Sequence, residues 1–305
     1  MSILQVEKLN KSFGSKSVLS NLDMNVPEHS VFGFVGQNGA GKTTTMRIIL
    51  GLLKADSGSV SVLGKKVNYG ETKTNQDIGY LPDVPEFYSY MKAAEYLNLC
   101  GEVSGMNKHD AIKKGNDLLE LVGLSKENRR IKTFSRGMKQ RLGIAQALLN
   151  DPKLLLCDEP TSALDPIGRK QILDILHAVK SRTTVVFSTH ILSDVEKVCD
   201  HLAILHNGNL VLQGKLANIM RKYSVDGYYV EFENSHDMDT FCLEEEIKIH
   251  KLEVMKDLNT IKVFMNNFEE EKHLLLHLLS QKKITPLKFE KIEPSLENLF
   301  EEVVK

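Results

Sequence analysis

Residues 36–43 read GQNGAGKT and match the spacing G-x-x-x-x-G-K-[ST] in full. Glycines at 36, 39 and 41 let the backbone turn tightly enough for successive N–H groups to converge on one phosphate. Lys42 then brings a point cation to the β- and γ-phosphate oxygens, and Thr43 offers a hydroxyl to Mg²⁺. The candidate nucleotide contacts are Gly36, Asn38, Gly39, Ala40, Gly41, Lys42, Thr43 and Thr44. Further along, LLLCDEPTSALDP runs from four apolar residues straight into Asp158 and Glu159. A carboxylate entering a core costs several kcal/mol unless something pairs with it, and a metal ion can do so. Asp158 is therefore expected to hold Mg²⁺ or its water shell. Glu159, one residue beyond, is placed to orient or deprotonate an attacking water. His190 closes the apolar run TTVVFSTH, where an imidazole can touch the terminal phosphate or brace that base. Lys42, Glu159 and His190 are the candidate catalytic residues.

These residues need rigid elements to hold them. VFGFV at 31–35 is a buried-strand pattern before the glycine loop, and TTMRIILGLL after it is helical, stopping near Gly51. Further strands are predicted at SVSVLG, DIGYLP, PKLLLCD, TTVVFST and HLAILHNG. The run Leu154–Cys157 is expected to lie beside the strand that feeds the loop, in a parallel sheet. Residues 2–8 and 22–26 read as short strands joined by a turn-rich KSFGSKS. Residues 90–150 read as almost wholly helical, an insert within the α/β core. Another helix is expected from Pro166, with Asp165 as N-cap and Ile167, Ile172, Leu173, Ile175 and Leu176 on its apolar face. A boundary falls near 215–225. Beyond it, DGYYVEFEN, IKIHKLEVM, TIKVFMN and PLKFEKIE read as strands, and EEEKHLLLHLLSQ and SLENLFEEVV as helices: a small α+β domain with no catalytic cluster.

The chain has 305 residues, 42% apolar and 26% charged, with a formal net charge of -1. That length accommodates one large core and a smaller second unit. Charge is uneven: residues 1–221 carry 28 Lys/Arg against 22 Asp/Glu, and residues 222–305 carry 11 against 18. An acidic second part disfavours nucleic-acid binding there, because phosphate contacts need positive charge. No apolar run of membrane-spanning length and no signal-peptide pattern is present, so neither membrane insertion nor export by that route is expected. Four dispersed cysteines without a CxxC pair read as small buried hydrophobes of a reducing compartment.

Four pieces, GQNGAGKT, FSRGMKQR (134–141), LLLCDEPTSALD (154–165) and TH (189–190), together resemble the nucleotide-binding domains of the ABC transporter family across residues 1–215. The resemblance implies an α/β fold: a P-loop NTPase core of ABC type with a helical insert, followed by the C-terminal α+β domain. It implies ATP and Mg²⁺ as cofactors, and two copies paired head to tail. Ser135 and Gly137, in a signature resembling LSGGQ, would then bind the γ-phosphate of ATP held by the partner. Ser135 is also suited to cap the helix that follows it. Phe13 falls where an aromatic stacks on adenine, and Asp165 in the loop after the paired acids.

Two positions depart from the family pattern: Arg136 replaces the usual first glycine of the signature, and Asp83 the usual glutamine after IGYLP. Asp83 is shorter and anionic, so it would reach the metal through water. The segment KIEPSLENLFEEVV (291–304) resembles the end of ATPases serving separate permeases of the multidrug, bacitracin and lantibiotic-immunity type. The expected organisation is an ATPase domain at 1–220, with its helical insert at about 86–150, and an accessory domain at 221–305. The expected partners are a second copy and an integral membrane permease, with the chain peripheral on the cytoplasmic face of the membrane. Phe87, Tyr88 and Tyr90 are candidates for a permease-facing groove. Two other readings are an ABC ATPase of translation or DNA maintenance and an ATP sensor without turnover.

Overall fold

The computed structural model describes residues 2–71, 73–223, 227–243, 253–265, 273–292 and 295–304. It divides into a larger unit, which runs to Ala217 and takes in the last residues from Val303, and a smaller unit, Asn218–Glu302. The larger unit starts with a hairpin of two twelve-residue strands, β1 (Ser2–Phe13) and β2 (Lys16–Pro27). KSFGSKS is thus mostly ladder rather than turn: Phe13 pairs with Lys16 across Gly14 and Ser15. Its polar composition reflects exposure, because this end of the ribbon projects into solvent while Leu4, Leu9, Leu22 and Val26 lie fully buried. Next come β3 (Val31–Val35), α1 (Lys42–Ile49), β4 (Ser57–Val62), β5 (Lys65–Lys66) and β6 (Ile78–Leu81). The helical insert is α2 (Ala93–Val103), α3 (Lys108–Leu121) and α4 (Arg136–Ala147), with residues 122–135 in turns and one 3₁₀ turn. The core resumes with β7 (Leu154–Asp158), α5 (Pro166–Val179), β8 (Thr184–Thr189), α6 (Leu192–Val198), β9 (His201–His206) and β10 (Asn209–Lys215), and α7 (Leu216–Lys222) spans the boundary between the units.

Two sheets result. One is antiparallel, in the order β2-β1-β4-β5; the other has the order β10-β9-β3-β8-β7-β6 and is parallel except for β10. Every residue of β3, β7 and β8 is buried, as befits parallel strands covered on both faces. The strand carrying Asp158 is not beside the loop's strand, contrary to the sequence expectation, because β8 lies between them. Strand adjacency is decided by the crossovers: α5 carries the chain from β7 to a parallel neighbour, and that neighbour takes the place next to β3. In α5, Asp165 accepts a hydrogen bond from the Gly168 N–H, and Ile172, Leu173, Ile175 and Leu176 are buried. Ile167 is 70% exposed, since the first turn of α5 stands clear of the sheet.

The smaller unit contains β11 (Gly227–Glu231), α8 (Ser235–Cys242), β12 (Glu253–Asp257), β13 (Thr260–Phe264), α9 (Leu274–Gln281), β14 (Lys288–Lys291) and α10 (Leu296–Val304). Its antiparallel sheet has the order β12-β13-β11-β14, a split βαβ arrangement. Helix α8 was not anticipated: SHDMDTFC offers only Met238 and Phe241 to the core, too short a pattern to read alone. Its N-cap is Asn234, which accepts from Asp237 N–H at 2.9 Å. Residues 247–252 of the expected strand IKIHKLEVM and 269–272 of the expected helix lie outside the described residues.

Helix α4 sits tightly on β6. A Cβ on Gly143 would come within 2.5 Å of Leu81 Cδ1, so only glycine allows this approach. Gly143→Ala is therefore expected to cost about 1–3 kcal/mol of stability by overpacking. Urea denaturation followed by circular dichroism measures it; an unchanged midpoint would mean that Leu81 swings aside freely.

Candidate functional site

The register of the parallel sheet builds the site. Val35 is level with Thr189, and Asp158 with Ser188. The glycine loop, Glu159 and His190 therefore all leave the sheet at the same edge. Gly36 is tied to that edge by its N–H, which donates to Thr189 O at 3.2 Å. The loop turns through Gly39 (φ 84) and Gly41 (φ 113), and a Cβ at Gly41 would lie 2.7 Å from Leu19 Cδ2. Gly41 sits at the N-cap of α1 with no side-chain cap, whereas Asn107, Ser135 and Asp165 cap α3, α4 and α5. The first-turn N–H groups of α1 and its positive end are thus left to an anion.

Lys42 is buried, and its ammonium donates to Gly36 O at 2.6 Å and Gln37 O at 3.2 Å. It also lies 3.1 Å from Glu159 Oε1, an ion pair without hydrogen-bond alignment. Glu159 Oε2 is 2.9 Å from His190 Nδ1. The Glu159 side chain is only 12% exposed, held between a cation and an imidazole. Its backbone is left-handed (φ 47), a costly conformation for a non-glycine residue and one that turns the chain away from β7 immediately.

Asp158 is 3% exposed and accepts from Ser188 Oγ at 2.6 Å. Ser188 Oγ also accepts from the Glu159 N–H at 3.0 Å, so one hydroxyl fixes both acids. The charge of Asp158 is felt by its neighbours. Desolvation first, then Asp158, pushes the Tyr80 hydroxyl up to about 12. The buried Cys157 thiol is raised by the same two causes in the same order. Of the cysteines only Cys157 is fully buried; Cys100, Cys199 and Cys242 are partly exposed free thiols.

A pocket of about 350 Å³ is lined by Asn38, Gly39, Gly41, Lys42, Thr43 and Thr44, and also by Asp83, Glu159 and His190. Ala40 lines the adjoining pocket with Asn38 and Gly39. Thr43 lines the first pocket, whereas Asp158 is buried and lines neither; both carry hard oxygen donors of the kind Mg²⁺ takes with phosphate and water. Among the described residues no three His, Cys, Asp or Glu side chains group as a metal site. Phe13 is half exposed at the hairpin end and lines neither pocket; Lys11 Nζ stands 5.2 Å from its ring centroid. Ser135 and Gly137, at the start of α4, also lie outside both pockets of this single chain. A Cβ on Gly137 would meet only Leu164 Cδ2, at an ordinary 3.7 Å.

Two contributors escaped the sequence reading. One is Ser188, whose signal is a polar residue fully buried within the apolar strand TTVVFST. The other is Gln140, fully buried on α4, which donates to Asp83 O at 2.6 Å. Ser188→Ala leaves two buried partners without their hydrogen bond and should cost about 1–3 kcal/mol by chemical denaturation. A variant as stable as the parent would show that the two acids hold themselves.

A family model described as ABC transporter matches residues 19–162. The ABC transporter ATP-binding protein YxlF of Bacillus subtilis (strain 168) is 37% identical over 303 residues, 99% of each chain. The bacitracin transport ATP-binding protein BcrA of Bacillus licheniformis is 37% identical over 307 residues, 99% of this chain and 97% of that one. Among solved structures, the dimeric ATP-binding cassette MJ0796 bound to ADP and Pi superposes with a TM-score of 0.63 at 26% identity, covering 70% of this chain and 98% of that one.

Proposed function

This chain belongs to the ABC transporter family of ATP-binding proteins, and from that membership we propose that it is the ATPase subunit of an exporter whose permease is a separate chain. The observation that carries the reading is the convergence of Lys42 and His190 on Glu159 at the mouth of an uncapped helix. In this reading the N–H groups of residues 39–44 and Lys42 bind the phosphates, and Phe13 stacks on the base. Phosphate oxygens replace the Gly36 and Gln37 carbonyls as acceptors for Lys42. Glu159 takes the proton of the attacking water, and His190 holds the carboxylate in line. Thr43 and Asp158 would hold Mg²⁺, with Asp83 facing it through water; the ion, when bound, offsets phosphate charge.

A second copy completes the site. Ser135 is exposed and Gly137 half-buried at the start of α4, and the only near neighbour of a Cβ on Gly137 would be Leu164 at an ordinary distance. Close approach of a partner's γ-phosphate would demand that the side chain be missing there. Closure of two copies around two ATP molecules, and reopening after hydrolysis, would bias the permease between two states. No helix among the described residues is long and apolar enough to cross a membrane. Attachment would therefore run through the permease on the cytoplasmic face. A groove of about 620 Å³ lined by Phe87, Tyr88 and Tyr96 supports a docking role there; Tyr88 and Tyr90 are 56% and 66% exposed, not core. The bacitracin-transport relative supports a drug, antimicrobial peptide or lipid-like cargo. The proposed organisation is an ATPase domain at 1–220, with the insert at about 86–150, and an accessory domain at 221–305.

Glu159→Gln should lower phosphate release by about 100-fold or more while leaving ATP binding intact, so that ATP holds a dimer visible by gel filtration. Turnover near the parent rate would remove Glu159 as the base. In that background, Gly137→Ala should still bind ATP as a monomer but no longer dimerise; an ATP-dependent dimer would remove Gly137 from the interface.

A further inference from the structure

Asp83 and Arg136, which stand where the general family motifs have glutamine and glycine, meet. Arg136 Nη2 lies 3.1 Å from Asp83 Oδ1. Four residues on, Gln140 donates to the Asp83 carbonyl, and seven residues on, Gly143 admits Leu81 against the helix. One stripe of α4, at 136, 140 and 143, therefore grips residues 81–83. The gripped residue is not remote from the chemistry: Asp83 lines the same pocket as Lys42, Thr43, Glu159 and His190.

Charge explains why the pair is needed. A carboxylate on the wall of a phosphate pocket repels the ligand. An arginine in the first turn of a helix opposes the helix dipole, and α4 has no acid of its own in that turn. Each residue is unfavourable alone, and each neutralises the other. Both side chains are partly exposed, 43% for Arg136 and 47% for Asp83, so the pairing is exchangeable rather than a fixed strut.

We propose that Arg136 is a positioning residue for nucleotide binding in its own subunit: by pairing with Asp83 it withdraws that carboxylate's charge from the phosphates. The proposal rests on the cradle reading above, and adds to it that the helix bearing Ser135 and Gly137 senses its own subunit's nucleotide pocket.

The probe is ADP in the presence of EDTA. ADP lacks the γ-phosphate on which closure of two copies depends, and without a divalent ion Asp83 acts only through its charge. By calorimetry at low ionic strength, Arg136→Ala should weaken ADP binding by about two- to fivefold. Arg136→Lys, which keeps the cation, should restore most of that loss. With Asp83→Asn present, adding Arg136→Ala should change nothing, and raising the salt should shrink the effect in the parent background. The proposal is overturned if Arg136→Ala binds ADP like the parent. It is equally overturned if the loss persists at full size with Asp83→Asn, which would mean direct phosphate contact or altered folding. If the parent itself binds no ADP, the cradle reading fails, a result distinct from either.

Discussion

The Glu159 carboxylate, held between the Lys42 ammonium and the His190 ring, is the interaction on which the rest of this structure depends. A nearly buried carboxylate is unfavourable unless its charge is met, and here it is met from both sides. Meeting it requires three segments far apart in sequence to leave one sheet at one edge. The parallel register of β3, β8 and β7 supplies that edge. The left-handed turn at Glu159 then brings the side chain back across the top of β8 toward the glycine loop.

Polar accounting beneath that carboxylate is as economical. Asp158 would be an orphaned buried charge without the Ser188 hydroxyl, which also receives the Glu159 N–H. The two acids are thus oriented by a residue that touches no phosphate in the proposed mechanism. Behind His190, Asp194 is fully buried and pairs with Arg169 at 2.7 Å, joining α5 to α6 just after the histidine. Such a pair says more about holding a segment in place than about net stability.

The helical insert is connected to this edge by contacts of two kinds. Gly143 permits van der Waals contact between α4 and β6, and Gln140 and Arg136 add hydrogen bonds to Asp83, two residues beyond the end of β6. Gln140 and Gly143 hold α4 to the pocket wall within one chain, while Ser135 remains exposed. The smaller unit has a core of its own, built from Val230, Phe232, Phe241, Ile261, Val263 and Leu275, Leu278 and Leu279 of α9. Its sheet is wholly antiparallel.

The sequence by itself determined the pieces whose physics is local. GQNGAGKT specifies a turn that only glycines can make, VFGFV and LLLCD specify strands buried on both faces, and Asp165–Pro166 specifies a helix start. It also determined that Asp158 and Glu159 must find positive partners or a metal, because an apolar run delivers them. Only the tertiary structure decided who those partners are. Strand order is set by crossovers, and it put β8 rather than β7 beside β3, which is what brings Ser188 between the acids. Exposure, which depends on neighbours, made KSFGSKS a polar hairpin end and left Ile167 in solvent. The meeting of Asp83 with Arg136 was likewise invisible in sequence, since 53 positions separate them along the chain and they meet only when α4 packs on β6.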